Sequence, residues 1–225
     1  MADVTHPDDR KSPAKRQAIM SAAARVFVRE GFDRTSVDTV AAEAGVSKRT
    51  IYNHFHDKES LFISVIRATL GSVTAEFAEA LDETIGESDD LERDFVALAR
   101  RWVRLFLRED AAALRRLMTA EAAHHPEIFH AWVEAGARRS IGQLVRVLAR
   151  LAKRGKLAIT DPARAAEQLT LLITTPAQNA SMFGTVRLTD SQIDDLVIPN
   201  VQMFLRAYAP PARRRSADSD SSPRR

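Results

Sequence analysis

Apolar residues recur at three- and four-residue steps through almost the whole of residues 13–208, the period of an α-helix with one buried face. Alternating strand-like runs and Asn-Gly or Asp-Gly hairpin turns are missing from the sequence. The pattern predicts an all-α protein. A first helix is expected over 13–30, with Ile19, Ala22, Ala23, Val26 and Phe27 on one stripe and Gly31 ending it. "TSVD" at 35–38 reads as a capping-box-like start, Thr35 with an acid three residues on, for a short helix carrying Val37, Val40, Ala41 and Ala44. Gly45 ends that helix, and Ser47 can cap the next, whose apolar members are Ile51 and Phe55.

Longer amphipathic helices are expected at about 57–84, 90–108, 110–124, 126–154, 162–183 and 190–208, about nine helices in all. Asp57 caps the first of these. Gly155 suits a C-cap, "DP" at 161–162 is an Asp cap followed by Pro in the first turn, and Pro199 predicts a kink in the last helix. The polar stretch 1–12 and the tail from 210 to 225 lack an apolar period and are expected to be disordered. The division predicted is therefore an N-terminal arm over 1–12, a small helical domain over 13–66, a larger one over 67–209, and an Arg-rich tail.

Composition then removes several classes of function. No cysteine is present, so disulfides, thiolate metal sites and Cys nucleophiles fall together. Neither a signal-peptide core nor an uninterrupted 18-residue apolar run is seen, which predicts a cytoplasmic protein without a membrane partner. The net charge of +3 hints at nucleic acid, yet five Arg and two Asp after Pro210 account for all of it. Residues 1–210 are neutral overall, so any case for DNA must rest on where charges are placed.

That placement is informative in "GVSKRTIYNHFHDKESLF", residues 45–62. A short helix, a turn containing Gly and a second short helix make a helix-turn-helix pattern, whose second helix can enter a major groove. On a 3.6-residue wheel Ile51 and Phe55 share the face toward the core, Lys48, Tyr52 and His56 form a second row, Arg49 and Asn53 a third, and Thr50 and His54 a fourth beside the Ile51 face. Arg49 and Lys48 lie at the end of the helix that reaches bases, and a guanidinium can give two bonds to guanine O6 and N7. Tyr52 and His54 have the length to reach phosphates, and Lys58 sits at the next helix N-terminus, which also favours a phosphate. A metal at His54 and His56 is excluded by spacing, since residues two apart do not share a helical face.

These residues carry a resemblance. "TSVDTVAAEAGVSKRTIYNHFHDKESLF", preceded by "AKRQAIMSAAARVFVREGFDRT", resembles the DNA-binding segment of the TetR family of bacterial transcriptional regulators over roughly residues 13–66. Tyr52, His54, Phe55, Lys58 and Glu59 form its most diagnostic run. The resemblance implies phosphate contacts from Tyr52, His54 and Lys58, base contacts from Lys48, Arg49 and Asn53, and backbone contacts from Thr35 and Ser36. Ser47 and Thr50, at the start of the same helix, complete the expected DNA-binding set.

The C-terminal half shows no Ser/His/Asp order, phosphate-cradling Gly loop or metal spacing, so no enzyme, cofactor or metal is expected. Residues 114–169 are similar to the C-terminal domain of the AefR-like branch of the same family. What this implies is a repressor, homodimeric through the helices at about 162–183 and 190–208; the apolar stripe of Leu169, Leu172, Ile173, Ile193, Leu196, Val197, Val201 and Phe204 suits such pairing, and a buried core would show the same stripe. It further implies a double-stranded, pseudo-palindromic operator and release by an unknown small-molecule effector. Pocket candidates by position are Trp102, Phe106, Leu117, Met118, Glu121, His125, Phe129 and Trp132. The cluster Glu121, His124, His125 and His130 also reads as a solvated helix end before Pro126. A helical interaction module, or an activator without induction, is the alternative reading.

Overall fold

The computed structural model describes residues 12–85 and 90–211. The arm before residue 12 and the Arg-rich tail after 211 lie outside the described residues. Those residues form ten α-helices and no strand: α1 Pro13–Glu30, α2 Val37–Ala44, α3 Lys48–His54, α4 Lys58–Thr84, α5 Leu91–Phe106, α6 Glu109–Glu121, α7 Pro126–Ala135, α8 Ala137–Lys153, α9 Pro162–Ala180 and α10 Asp190–Ala207.

Most helix ends sit where the punctuation placed them. Ser47, Asp57 and Asp90 each accept a hydrogen bond from the amide three residues on, at 3.1, 2.6 and 3.0 Å. Asp161 accepts from the amides of Ala163 and Arg164. These side chains satisfy N–H groups that a helix start leaves without partners. The cap of α2 differs from expectation. Ser36, not Thr35, accepts from Thr39 N at 3.0 Å, because Thr35 is buried and its hydroxyl donates backward to Gly31 O at 2.7 Å.

The segment expected as one helix over 126–154 is two. Gly136 adopts φ −114°, ψ −81° between α7 and α8, and a Cβ there would stand 2.9 Å from Leu70 Cδ1 of α4. Close passage against α4 is what the glycine permits. α10 runs unbroken through Pro199, and α9 stops at Ala180, short of the expected 183, in a turn where Met182, Phe183 and Gly184 all have positive φ.

Two hydrophobic clusters share the long helix α4. Its first half joins α1, α2, α3, α6 and α7 through Ile19, Phe27, Ile51, Phe62, Leu117 and Met118. Its second half joins α5, α8, α9 and α10 through Phe77, Phe95, Leu148, Leu169, Val197 and Phe204. By length and mean hydropathy α4 is long and apolar enough to cross a bilayer, although charged residues such as Arg67 and Glu76 interrupt its apolar run. Here its buried positions face protein on both clusters. The second cluster is tied at its rim by a two-pronged pair, Arg100 Nε and Nη2 donating to Asp194 at 2.6 and 2.9 Å, which joins α5 to α10.

The faces of α9 and α10 assigned to pairing turn inward instead. Leu169, Ile173, Ile193, Val197, Val201 and Phe204 are buried in their own subunit, and Leu172 and Leu196 pack against them. What these helices present outward is Leu171, 63 % exposed, and Met203, 45 % exposed.

Candidate nucleic-acid interface and central cavity

The α2–turn–α3 unit is built by three local devices. Gly45 closes α2 in the left-handed conformation, φ 66°, with its amide bonded back to Ala41 and Ala42. Ser47 then starts α3, its hydroxyl paired with that of Thr50 at 2.8 Å. Ile51 and Phe55, 1 and 4 % exposed, anchor α3 in the cluster formed by α1 and α4.

Burying that stripe leaves Ser47, Lys48, Arg49, Tyr52 and Asn53 on the outside, with Thr50 half-buried beside them. Arg49 and Asn53 have no hydrogen bond or ion pair to other described residues, so their polar ends are available to an incoming ligand. Lys48 reaches back to α2 and pairs with Asp38 at 2.8 Å, which raises its pKa. This exposed pair is weakly held and can open to a phosphate. Ser36, at the start of α2, is also exposed and shares a hydrogen bond with the Thr39 hydroxyl. His54 is half-buried and lies against Phe55.

Two expected phosphate ligands are structural instead. Thr35 is buried, as described. Lys58 donates to the carbonyls of Phe32, Asp33 and Thr35 at 2.9, 3.2 and 3.2 Å and sits 4.5 Å from the Phe32 ring centroid. Its ammonium therefore clamps the loop between α1 and α2 and does not project toward a phosphate.

The same loop is gripped from the other side. Glu121 at the end of α6 accepts from Phe32 N at 3.1 Å, and His125 Nε2 bonds to Asp33 at 2.8 Å. The His125 ring meets Phe32 edge-on. The Asp33 hydrogen bond holds the imidazole above its ordinary pKa range. Glu121 and His125 thus belong to a joint between the helix-turn-helix and the C-terminal helices, not to a pocket or a solvated helix end. Together with Asp33 they bring three ligand atoms within 4.8 Å of one another, a spacing a cation could bridge. In the structure Glu121 is held by Phe32 N and Asp33 by His125. His124 and His130 are exposed.

Of the eight pocket candidates, Trp102, Phe106 and Trp132 line one cavity of about 300 Å³ between α4 and α9 that opens beside exposed Leu171. Leu117 and Met118 lie in the core shared with α1, and Phe129 packs on Trp132 from outside the cavity lining, centroids 5.6 Å apart. A wider and more open groove of about 620 Å³ runs between α1, α4 and α6. The smaller cavity also contains a residue the sequence reading missed, Arg115 of α6. Its guanidinium stacks 3.5 Å from the Phe106 ring centroid, and Nη2 donates to Phe106 O. Burial, helped by nearby Arg116, lowers its pKa to about 10. The signal was present: Arg115 stands four residues after Ala111 and three before Met118, on the buried stripe of α6.

Comparison with known proteins matches both halves. Residues 19–65 match the family model for bacterial regulatory proteins of the tetR family, and residues 94–210 that for the AefR-like transcriptional repressor C-terminal domain. The HTH-type transcriptional regulator RutR of Escherichia coli K12 is 27 % identical over 203 residues, 85 % of this chain and 89 % of that protein. A crystal structure of a TetR-family transcriptional regulator from Mesorhizobium loti MAFF303099 superposes with TM-score 0.80 at 30 % identity, covering 91 % of this chain and all of that one. The flavonoid-responsive regulator FrrA superposes with TM-score 0.76 at 28 % identity, over 89 % of this chain and all of that one.

Proposed function

The chain belongs to the TetR family of bacterial transcriptional regulators, and from that premise we propose that it is a homodimeric repressor released from its operator by a small molecule. It is a DNA-binding regulator and not an enzyme. Residues 13–66 are the DNA-binding domain and 67–209 the ligand-binding and dimerisation domain of this reading, which places its work in the cytoplasm.

The observation that carries the reading is the segregation on α3. Ile51 and Phe55 are locked into the core, while Arg49, Tyr52 and Asn53 face solvent. A helix held rigidly by one face and carrying hydrogen-bonding groups on the other suits insertion into a major groove. Arg49 and Asn53, joined by Lys48 once it leaves Asp38, read base edges. Ser36, Ser47, Thr50, Tyr52 and His54 contact the backbone. A two-fold dimer through the outer faces of α9 and α10 sets two copies of α3 into successive grooves, about 34–36 Å apart on a pseudo-palindrome.

Coupling runs through α6. One side of that helix lines the cavity with Ala111 and Arg115, and another packs Leu114, Leu117 and Met118 into the core shared with α1. Its end carries Glu121 onto Phe32 N, and His125 follows it onto Asp33. An effector that binds more tightly to one position of α6 shifts the joint, and with it the spacing of the two α3 helices. Only that difference in affinity can drive the release. The similarity to a flavonoid-responsive regulator supports a small-molecule signal.

The test is selection of bound fragments from sheared bacterial genomic DNA at fixed, near-physiological salt, beside an Arg49→Ala/Tyr52→Ala double mutant. Enrichment of a pseudo-palindrome by the wild type alone supports the reading. Equal enrichment by both proteins would sink the assignment of α3 as the reading helix.

A further inference from the structure

Four aromatic rings, Phe77, Trp102, Phe106 and Trp132, stand in the wall of the central cavity. A lining of this kind suits an apolar or aromatic body. The hydroxyls of Thr74, Thr170 and Thr174 on the same wall donate to carbonyls within their own helices, so they are already satisfied. Two donors are not. Arg115 Nη1 and Trp132 Nε1 are both buried with no hydrogen-bond partner among the described residues, and both side chains line this cavity. Neither atom can accept a hydrogen bond, so only an acceptor satisfies them.

Arg115 also lacks an acid. None of the ion pairs among the described residues includes it, and the charge that acts on it most directly is Arg116, whose Nη1 is turned away to Phe183 O. Arg115 is half-buried with its Nη1 out of solvent, and desolvating a cation without a counter-ion is costly. One guanidinium with a single free donor matches a monoanion better than a phosphate dianion.

We propose that the cavity takes a small monocarboxylate with an aromatic or short aliphatic body, its carboxylate held by Arg115 Nη1 and Trp132 Nε1. The volume of about 300 Å³ lies at the low end for ligand sites, which favours a compact acid over a long acyl chain. Both residues line the cavity while these two nitrogens are buried, so binding requires a side-chain turn that brings them onto the acid. The inference rests on reading this cavity as the effector site.

Trp102 and Trp132 are the chain's two tryptophans, and both line the cavity, so intrinsic fluorescence reports its occupancy. Benzoate, phenylacetate and hexanoate are titrated against benzamide, phenylacetamide and hexanamide at constant ionic strength, with thermal melts alongside. At least one acid is expected to quench the emission and raise Tm, binding at least ten-fold tighter than its amide. In Arg115→Met that preference should fall to within about two-fold while the unliganded Tm holds or rises, since an uncompensated charge has gone. Arg115→Lys should keep part of the preference. Equal binding of acid and amide by the wild type, or a preference that survives in Arg115→Met, overturns the carboxylate assignment. Amides that bind where acids do not overturn it too, but leave the cavity as a ligand site. If no probe changes either signal, the monocarboxylate class and the cavity reading fall together.

Discussion

At the scale of single residues the DNA-facing surface divides into groups that reach out and groups that hold the surface in place. Arg49 reaches out, and Arg49→Ala is expected to cost about 1–3 kcal/mol of operator affinity and to relax preference at one base pair. Lys58 holds. Lys58→Ala should lower Tm and weaken all sequences alike, because the loop between α1 and α2 loses its clamp, yet leave the slope of log affinity against log salt unchanged. A slope flatter by about one in Lys58→Ala would restore it as a phosphate ligand. His125 adds a pH dependence of definite sign. Asp33, with Glu127 behind it, raises its folded pKa above the unfolded value of about 6.5. The stabilisation is therefore complete below about pH 6.5 and is lost as pH rises through the folded pKa. Melting temperatures of wild type and Asp33→Asn should converge as pH rises; curves that stay parallel would refute the link.

At the scale of elements α6 is the part on which the most depends, since it touches the cavity, the loop before α2 and the turn after α9. In that turn Gly184 has φ 81°, and a Cβ there would fall 2.5 Å from Ala112 Cβ of α6. Gly184→Ala combines a strained backbone with a clash against a fully buried neighbour. It should lower stability by about 2 kcal/mol or more, seen in denaturant unfolding. The helices themselves were legible because caps and glycines are local: Ser47, Asp57, Asp161 and Gly45 act within four residues of chain. Gly136 was not legible, because its reason for being glycine is Leu70, sixty-six positions away on α4. Thr35 and Ser36 looked equivalent as caps until packing buried one of them.

At the scale of the whole molecule the proposed pairing surface on α9 and α10 is testable from exposure alone. Met203 is 45 % exposed in the subunit, so Met203→Glu should leave helix content intact while shifting sedimentation from dimer to monomer and abolishing tight operator binding. A dimer that persists would move the interface elsewhere. The apolar stripes first assigned to that interface belong to the subunit core, an ambiguity inherent in periodicity. A 3.6-residue stripe says that a face is covered but not by what.

The sequence by itself determined the all-α class and the helix-turn-helix with its outward Lys48, Arg49, Tyr52 and Asn53, because each follows from spacings of a few residues along a helix; the family came from the resemblance carried by residues 13–66. Only the tertiary structure decided that Lys58 and Thr35 serve the loop, that Glu121 and His125 form a joint, and that Arg115 lines a cavity without an ion pair among the described residues. Those facts depend on which distant helices meet, and burial and charge pairing are properties of that meeting.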